Sequence, residues 1–121
     1  MKVENIIAER SFNFALQVVE IYKLLSAERE YVLSKQLLRS GTSIGANVAE
    51  ATAAISKRDF AAKMSIASKE AREIRYWLKL LEQGELTEID LSSALDEANQ
   101  LINILTAIVK TAQQNLANTS E

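Results

Sequence analysis

The sequence predicts an all-α fold, an antiparallel up-and-down four-helix bundle, and three observations carry that expectation. Its 121 residues include no proline, so no backbone N–H is missing from any helical ladder. Apolar residues recur three and four apart over long stretches, the period of a helix that buries one face. The polar breaks between those stretches are short, which makes consecutive helices antiparallel neighbours. With 48% apolar residues and 25% charged, the chain fits a single domain over residues 1–117, ending in a frayed polar tail at 118–121.

The first helix is placed at about 4–26 by the stripe Ile7, Phe14, Val18, Ile21 and Leu25, widened by Phe12, Val19 and Tyr22. Ser26 to Glu30 marks a turn. The second helix, about 29–54, buries Leu33, Leu37, Ile44, Val48 and Ala51. Two of the chain's three glycines fall inside it, where each costs about 0.5–1 kcal/mol against alanine. Gly41, Gly45, Ala49 and Ala53 lie four apart, a ridge of small residues that lets another backbone come close. Ser40 to Ser43 is a place where this helix can bend. Asn47 reads as a buried amide that fixes register.

The third helix, about 57–83, begins at a Ser56 cap with Asp59 in its first turn and carries the seam Phe60, Met64, Ala67, Ala71, Ile74, Leu78 and Leu81. Gly84 is its stop signal. The fourth, about 88–116, is announced by Thr87 and Asp90 and follows Leu91, Leu95, Ala98, Ile102, Leu105, Val109, Ala112 and Leu116. Apolar residues beyond these seams suggest a self-association surface comprising Ile66, Trp77, Leu80, Leu101, Ile104 and Ile108; a broad core stripe is the alternative.

Charge is uneven although the chain as a whole carries only −2. Residues 57–79 hold seven cations against three carboxylates, a net +4, whereas residues 87–118 net −3. Arg58, Lys69, Arg72, Tyr76 and Lys79 form a stripe opposite the third helix's seam, with Arg75 on its flank. Together with Arg39 and Lys57 they are the candidate nucleic-acid-binding residues. An ordinary solvated face is the alternative.

Catalytic chemistry has little to work with. Without histidine or cysteine there is no imidazole triad, no thiolate nucleophile and no zinc site of the usual kind. The Gly41-x-x-x-Gly45 spacing lacks the Gly-Lys-Ser/Thr ending of a phosphate loop. Glu70 and Glu73 have no histidine to complete a bundle metal site. The reading is a non-enzyme with no catalytic residues, cofactor, metal or small-molecule substrate. No apolar run suits a membrane span and the N-terminus has no signal-peptide core, so a cytoplasmic protein without membrane contact is expected.

Two segments, QLLRSGTSIGANVAEA at 36–51 and SKRDFAAKMSIASKEAREIRYWLKLL at 56–81, closely resemble the four-helix bundle proteins of 23S rRNA intervening sequences. That family is related in fold to the accessory protein of diversity-generating retroelements, a pentameric bundle associated with reverse transcriptase and nucleic acid. The resemblance implies a homopentamer without known catalytic activity, and it matches Arg39, Lys69, Arg72 and Arg75 to recurrent basic positions. The expected function is an RNA- or DNA-associated accessory, or alternatively a scaffold docking a polymerase or another protein partner.

Overall fold

A computed structural model of the chain describes residues 2–119. It contains four α-helices among those residues: α1 Val3–Ala27, α2 Leu33–Thr52, α3 Lys57–Gln83 and α4 Ser92–Thr119. The helices pack in a closed ring, each touching the one before and the one after, and α4 returns to α1. Contacts between neighbours run in opposite chain directions. Gly41 lies against Val18 and Gly45 against Ser11; Arg39 reaches Glu73 while Glu50 reaches Lys63; Arg72 meets Thr106 while Arg75 meets Asn99. The architecture is therefore an antiparallel up-and-down four-helix bundle. No helix among the described residues is long and apolar enough to cross a membrane.

The core follows the stripes of all four helices. Phe14, Leu25, Leu37, Ile44, Met64, Ile74, Leu78, Leu101 and Leu105 are fully buried or nearly so. Each such side chain contributes about 1.5–3 kcal/mol through removal from water.

Gly41 explains why α2 carries glycine. An added Cβ there would lie 2.7 Å from Ile74 Cδ1 and 2.7 Å from Val18 Cγ1, so the backbone is wedged between α1 and α3. Gly45 is less constrained, since its Cβ would meet the Ser11 carbonyl oxygen at 3.4 Å, an ordinary contact. The ridge ends there. Ala49 and Ala53 are exposed, which corrects the expectation that all four positions pack. The helix also runs uninterrupted through Ser40 to Ser43. The hydroxyls of Ser40, Thr42 and Ser43 donate to the carbonyls of Gln36, Leu38 and Arg39 at 2.9, 2.7 and 2.6 Å, bonding within the helix instead of breaking it. Asn47 likewise donates to the Ser43 carbonyl of its own helix at 2.8 Å, so it does not set register between helices.

The turns shift two predicted starts. After α1, Arg29 adopts φ 66° and Glu30 N–H bonds back to the Leu25 carbonyl at 2.9 Å, a Schellman closure built without glycine. The Glu30 carboxylate then accepts from the amides of Leu33 and Ser34 at 2.8 and 2.9 Å. That exchange makes α2 begin at Leu33 instead of 29. After α3 the left-handed residue is Glu85, φ 55°, while Gly84 stays right-handed. A side chain on Gly84 would press to 2.7 Å from the Leu80 carbonyl oxygen, which accounts for glycine at that position. Thr87 donates to Glu28 at 2.6 Å, joining the two turns at this end of the bundle. Thr87 also accepts from the Ile89 amide and Asp90 from the Ser92 amide, so the capping residues precede a helix that starts at Ser92, not 88. At the far end Asn118 and Thr119 are helical, and the rest of the predicted tail, 120 and 121, lies outside the described residues.

Two apolar assignments are also corrected. Leu101 and Ile108, predicted to face outward, belong to the core. Phe12, predicted to widen the α1 core stripe, is 63% exposed, and Leu16 one turn later is 53% exposed.

Candidate nucleic-acid interface

The orientation of α3 fixes the basic stripe. Its start is capped by Ser56 Oγ, which accepts from the Asp59 amide at 3.0 Å. Burial of Met64, Ala67, Ala71, Ile74, Leu78 and Leu81 then turns the opposite side outward. Arg58, Lys69, Arg72, Tyr76 and Lys79 lie exposed on that side, with Lys57 exposed at the first turn. Toward α4, Arg72 donates to Thr106 Oγ1 at 2.9 Å and Arg75 to Asn99 Oδ1 at 3.1 Å. Neutral partners orient these guanidiniums without cancelling their charge.

The chain's cations divide into two groups. Arg10 binds Glu97 through two nitrogens at 2.9 and 3.1 Å, joining α1 to α4, and Lys63 binds Glu50 at 2.9 Å, joining α2 to α3. Hydrogen bonding to these carboxylates raises the pKa of both cations. Lys23 pairs with Glu20 on its own helix. By contrast, among the described residues Lys57, Arg58, Lys69, Arg72, Arg75 and Lys79 form no ion pair. Paired cations hold mainly the seams; of the cations without an ion pair among the described residues, Lys57, Arg58, Lys69, Arg72, Arg75 and Lys79 are gathered along α3, while Lys2, Arg29, Lys35 and Lys110 are scattered over the rest of the chain.

Arg39 falls in the first group, contrary to the sequence-based grouping. It bonds to Glu70, which is only 8% exposed, at 3.2 and 3.3 Å, and also to Glu73. Hydrogen bonds to Glu70 and then Glu73 raise the Arg39 pKa. Its charge is matched inside the α2–α3 seam. Glu73 feels burial most strongly, which pushes its carboxyl upward. Bonds from Trp77 Nε1 at 3.2 Å and from Arg39, with the charges of Arg39 and Lys69, outweigh that and hold it below the usual carboxylate value.

The proposed association surface does not form one patch. Trp77 and Ile104 are half-buried, packed against the core, while Ile66 and Leu80 are 38% and 40% exposed on the α2 side of α3. Ile104 instead lines an open, mainly apolar groove of about 880 Å³ between the first turn of α1, the α2–α3 turn and the second half of α4. At about 100° per residue Phe12 and Leu16 lie roughly 140° or more from the centre of the stripe formed by Ile7, Phe14, Val18, Ile21 and Leu25, so helical spacing itself turns both outward and the assignment of Phe12 to the core stripe was an error of reading.

Comparison with known proteins places this arrangement. The family model described as 23S rRNA-intervening sequence protein matches residues 3–107. The chain belongs to that family. A crystal structure of a Bacteroides thetaiotaomicron protein of unknown function from the S23 ribosomal protein family is 42% identical, with a TM-score of 0.84, over 90% of this chain and 99% of that one. No curated protein matches. The resemblance carried by residues 36–51 and 56–81 thus extends beyond those segments: α1, α2, α3 and the first half of α4 all lie within the stretch matched to the 23S rRNA-intervening sequence proteins.

Proposed function

We propose that this protein is a non-enzymatic accessory that binds nucleic acid along the exposed face of α3, where α4 adjoins it. The observation that carries the reading is the segregation of its cations. Among the described residues Lys69, Arg72 and Lys79 form no ion pair, whereas Arg10, Arg39 and Lys63 are spent on the seams. Asn99 and Thr106 of α4 add neutral hydrogen-bonding groups beside Arg75 and Arg72. Phosphates that displace counterions from such a row make affinity fall steeply with salt. Arg39 is excluded from the binding set, and Lys57 and Arg58 extend it toward the start of α3.

The test is binding to short RNA and DNA oligonucleotides over a range of salt, with Lys69, Arg72 and Lys79 reversed together to glutamate. Binding is expected to be lost in that variant while its thermal unfolding stays close to wild type. Unchanged affinity removes this face from consideration.

A second reading is favoured by Phe12 and Leu16, exposed one turn apart on α1. Exposed apolar stripes on helices are covered by protein partners. Self-association, as the homopentamer the resemblance suggests, would cover this stripe and repeat the basic face around a ring. A strictly monomeric mass at micromolar concentration rejects the oligomer. A pulldown that survives nuclease treatment favours a protein scaffold, with a polymerase or another partner docked directly.

A further inference from the structure

Tyr76 stands in the middle of the basic stripe, one turn from Arg72 and three residues before Lys79, with 59% of its surface exposed. An exposed aromatic ring among cations usually gains little by ordering, yet this one is braced. Its ring meets Trp77 edge-to-face, centroids 5.2 Å apart and planes at 73°. Trp77 is half-buried against the core, and its indole N–H donates to Glu73 at 3.2 Å. Glu73 is held in turn by Arg39 from α2. A chain of contacts from one helix to the next therefore steadies a ring that faces solvent.

Resting on the nucleic-acid reading above, we propose that Tyr76 is a stacking platform and that the α3 face takes unpaired, single-stranded nucleic acid in preference to duplex. In a duplex the bases are stacked on one another and the helix offers this face only phosphates and sugars, which engage Lys69, Arg72 and Lys79 alone. A single strand offers the same phosphates and also a base that can lie against the Tyr76 ring. The bracing by Trp77 and Glu73 reduces the freedom the ring loses on binding, the general benefit of a preorganised site. Every base has a π-face, so the preference is for strandedness and not for sequence. RNA and DNA single strands share this chemistry.

Trp77, the only tryptophan of the chain, is a built-in reporter, because a base on Tyr76 changes the surroundings of the adjacent indole. The experiment measures anisotropy of fluorescein-labelled oligouridylate, oligothymidylate and an RNA duplex of equal length, and follows Trp77 emission in parallel. Wild type is expected to bind single strands more tightly than duplex. Tyr76→Ala is expected to weaken single-strand binding by roughly ten-fold or more, the loss typical of one stacked base, with duplex binding and salt slope unchanged. Tyr76→Phe retains single-strand affinity. Equal oligouridylate and oligothymidylate affinities indicate stacking alone; tighter oligouridylate binding indicates an added contact to the 2′-hydroxyl, and both support the platform. Equal affinity of wild type for duplex and single strand, or no effect of Tyr76→Ala on single strands, overturns it. Failure of all three probes to bind at low salt overturns the charge-based function as well. Because Tyr76 is exposed, an unchanged melting curve for Tyr76→Ala separates lost stacking from lost folding.

Discussion

Replacing Gly41 with alanine isolates the packing requirement at the centre of the bundle. The substitution gains about 1 kcal/mol of helix propensity in α2. Against that, the new methyl would sit 2.7 Å from Ile74 Cδ1 and 2.7 and 2.8 Å from the two Val18 methyls, about an ångström inside normal carbon contact. Ile74 can swing its terminal carbon away. Val18 cannot easily do so, because a β-branched side chain in a helix has essentially one χ1 rotamer. Overpacking costs about 1–3 kcal/mol, and with the Val18 rotamer fixed the upper part of that range, about 2–3, applies, so Gly41→Ala should be destabilising by about 1–2 kcal/mol after the propensity gain. The internal control is Gly45→Ala, where the new contact with the Ser11 backbone begins at 3.4 Å and the same propensity gain applies. It should be neutral or stabilising by up to about 1 kcal/mol. Urea unfolding followed by far-UV circular dichroism measures both. A Gly41→Ala protein as stable as wild type, or a Gly45→Ala protein less stable than Gly41→Ala, refutes the assignment of close approach to residue 41.

Further predictions concern polar groups and one strained turn. Arg39→Met leaves Glu70 in the α2–α3 seam without its cation and should cost about 2 kcal/mol, discounted from a fully buried pair because Arg39 is half-exposed, while adding Glu70→Gln recovers part of the loss in a double-mutant cycle. Glu73 has a folded pKa below its ordinary value, so it contributes stability that is fully present above that value, near 4.5, and is lost as pH falls through the lower folded one; Glu73→Gln should flatten this acid limb of the stability profile. Ser34 Oγ is buried with no hydrogen-bond partner among the described residues, and Ser34→Ala should raise stability by about 0.5–1 kcal/mol in thermal unfolding. Arg29 occupies the left-handed position that closes α1, and Arg29→Gly should stabilise by about 1 kcal/mol in the same assay.

The bundle was legible because apolar spacing survives in every helix, and residues 36–51 and 56–81 were specific enough to identify the family. Helix starts were less so. Arg29 holds the left-handed position where glycine is the usual marker, so the turn after α1 carried no such signal, whereas Gly84 did mark the end of α3 although the left-handed residue there is Glu85. On α4 a strict heptad reading keeps Leu95 and Val109 on the seam, yet an α-helix drifts relative to a seven-residue repeat and the buried arc is wide. Leu101 and Ile108 therefore enter the core while Leu95 and Val109 are only half-buried. The basic stripe was readable as charge on one side of α3. What remained hidden was which cations are spent. Arg39 lies 31 and 34 residues from its partners, and only the α2–α3 packing reveals the match. The brace behind Tyr76 depends on that same packing.

Backbone amide chemical-shift mapping of the full chain, titrated with a short single-stranded oligonucleotide at low salt, shows whether the outer face of α3 is the nucleic-acid surface. Shifts concentrated at Lys69, Arg72, Tyr76 and Lys79, with those around Phe12 and Leu16 unmoved, are the predicted result. Shifts centred on α1, or none at all, contradict it.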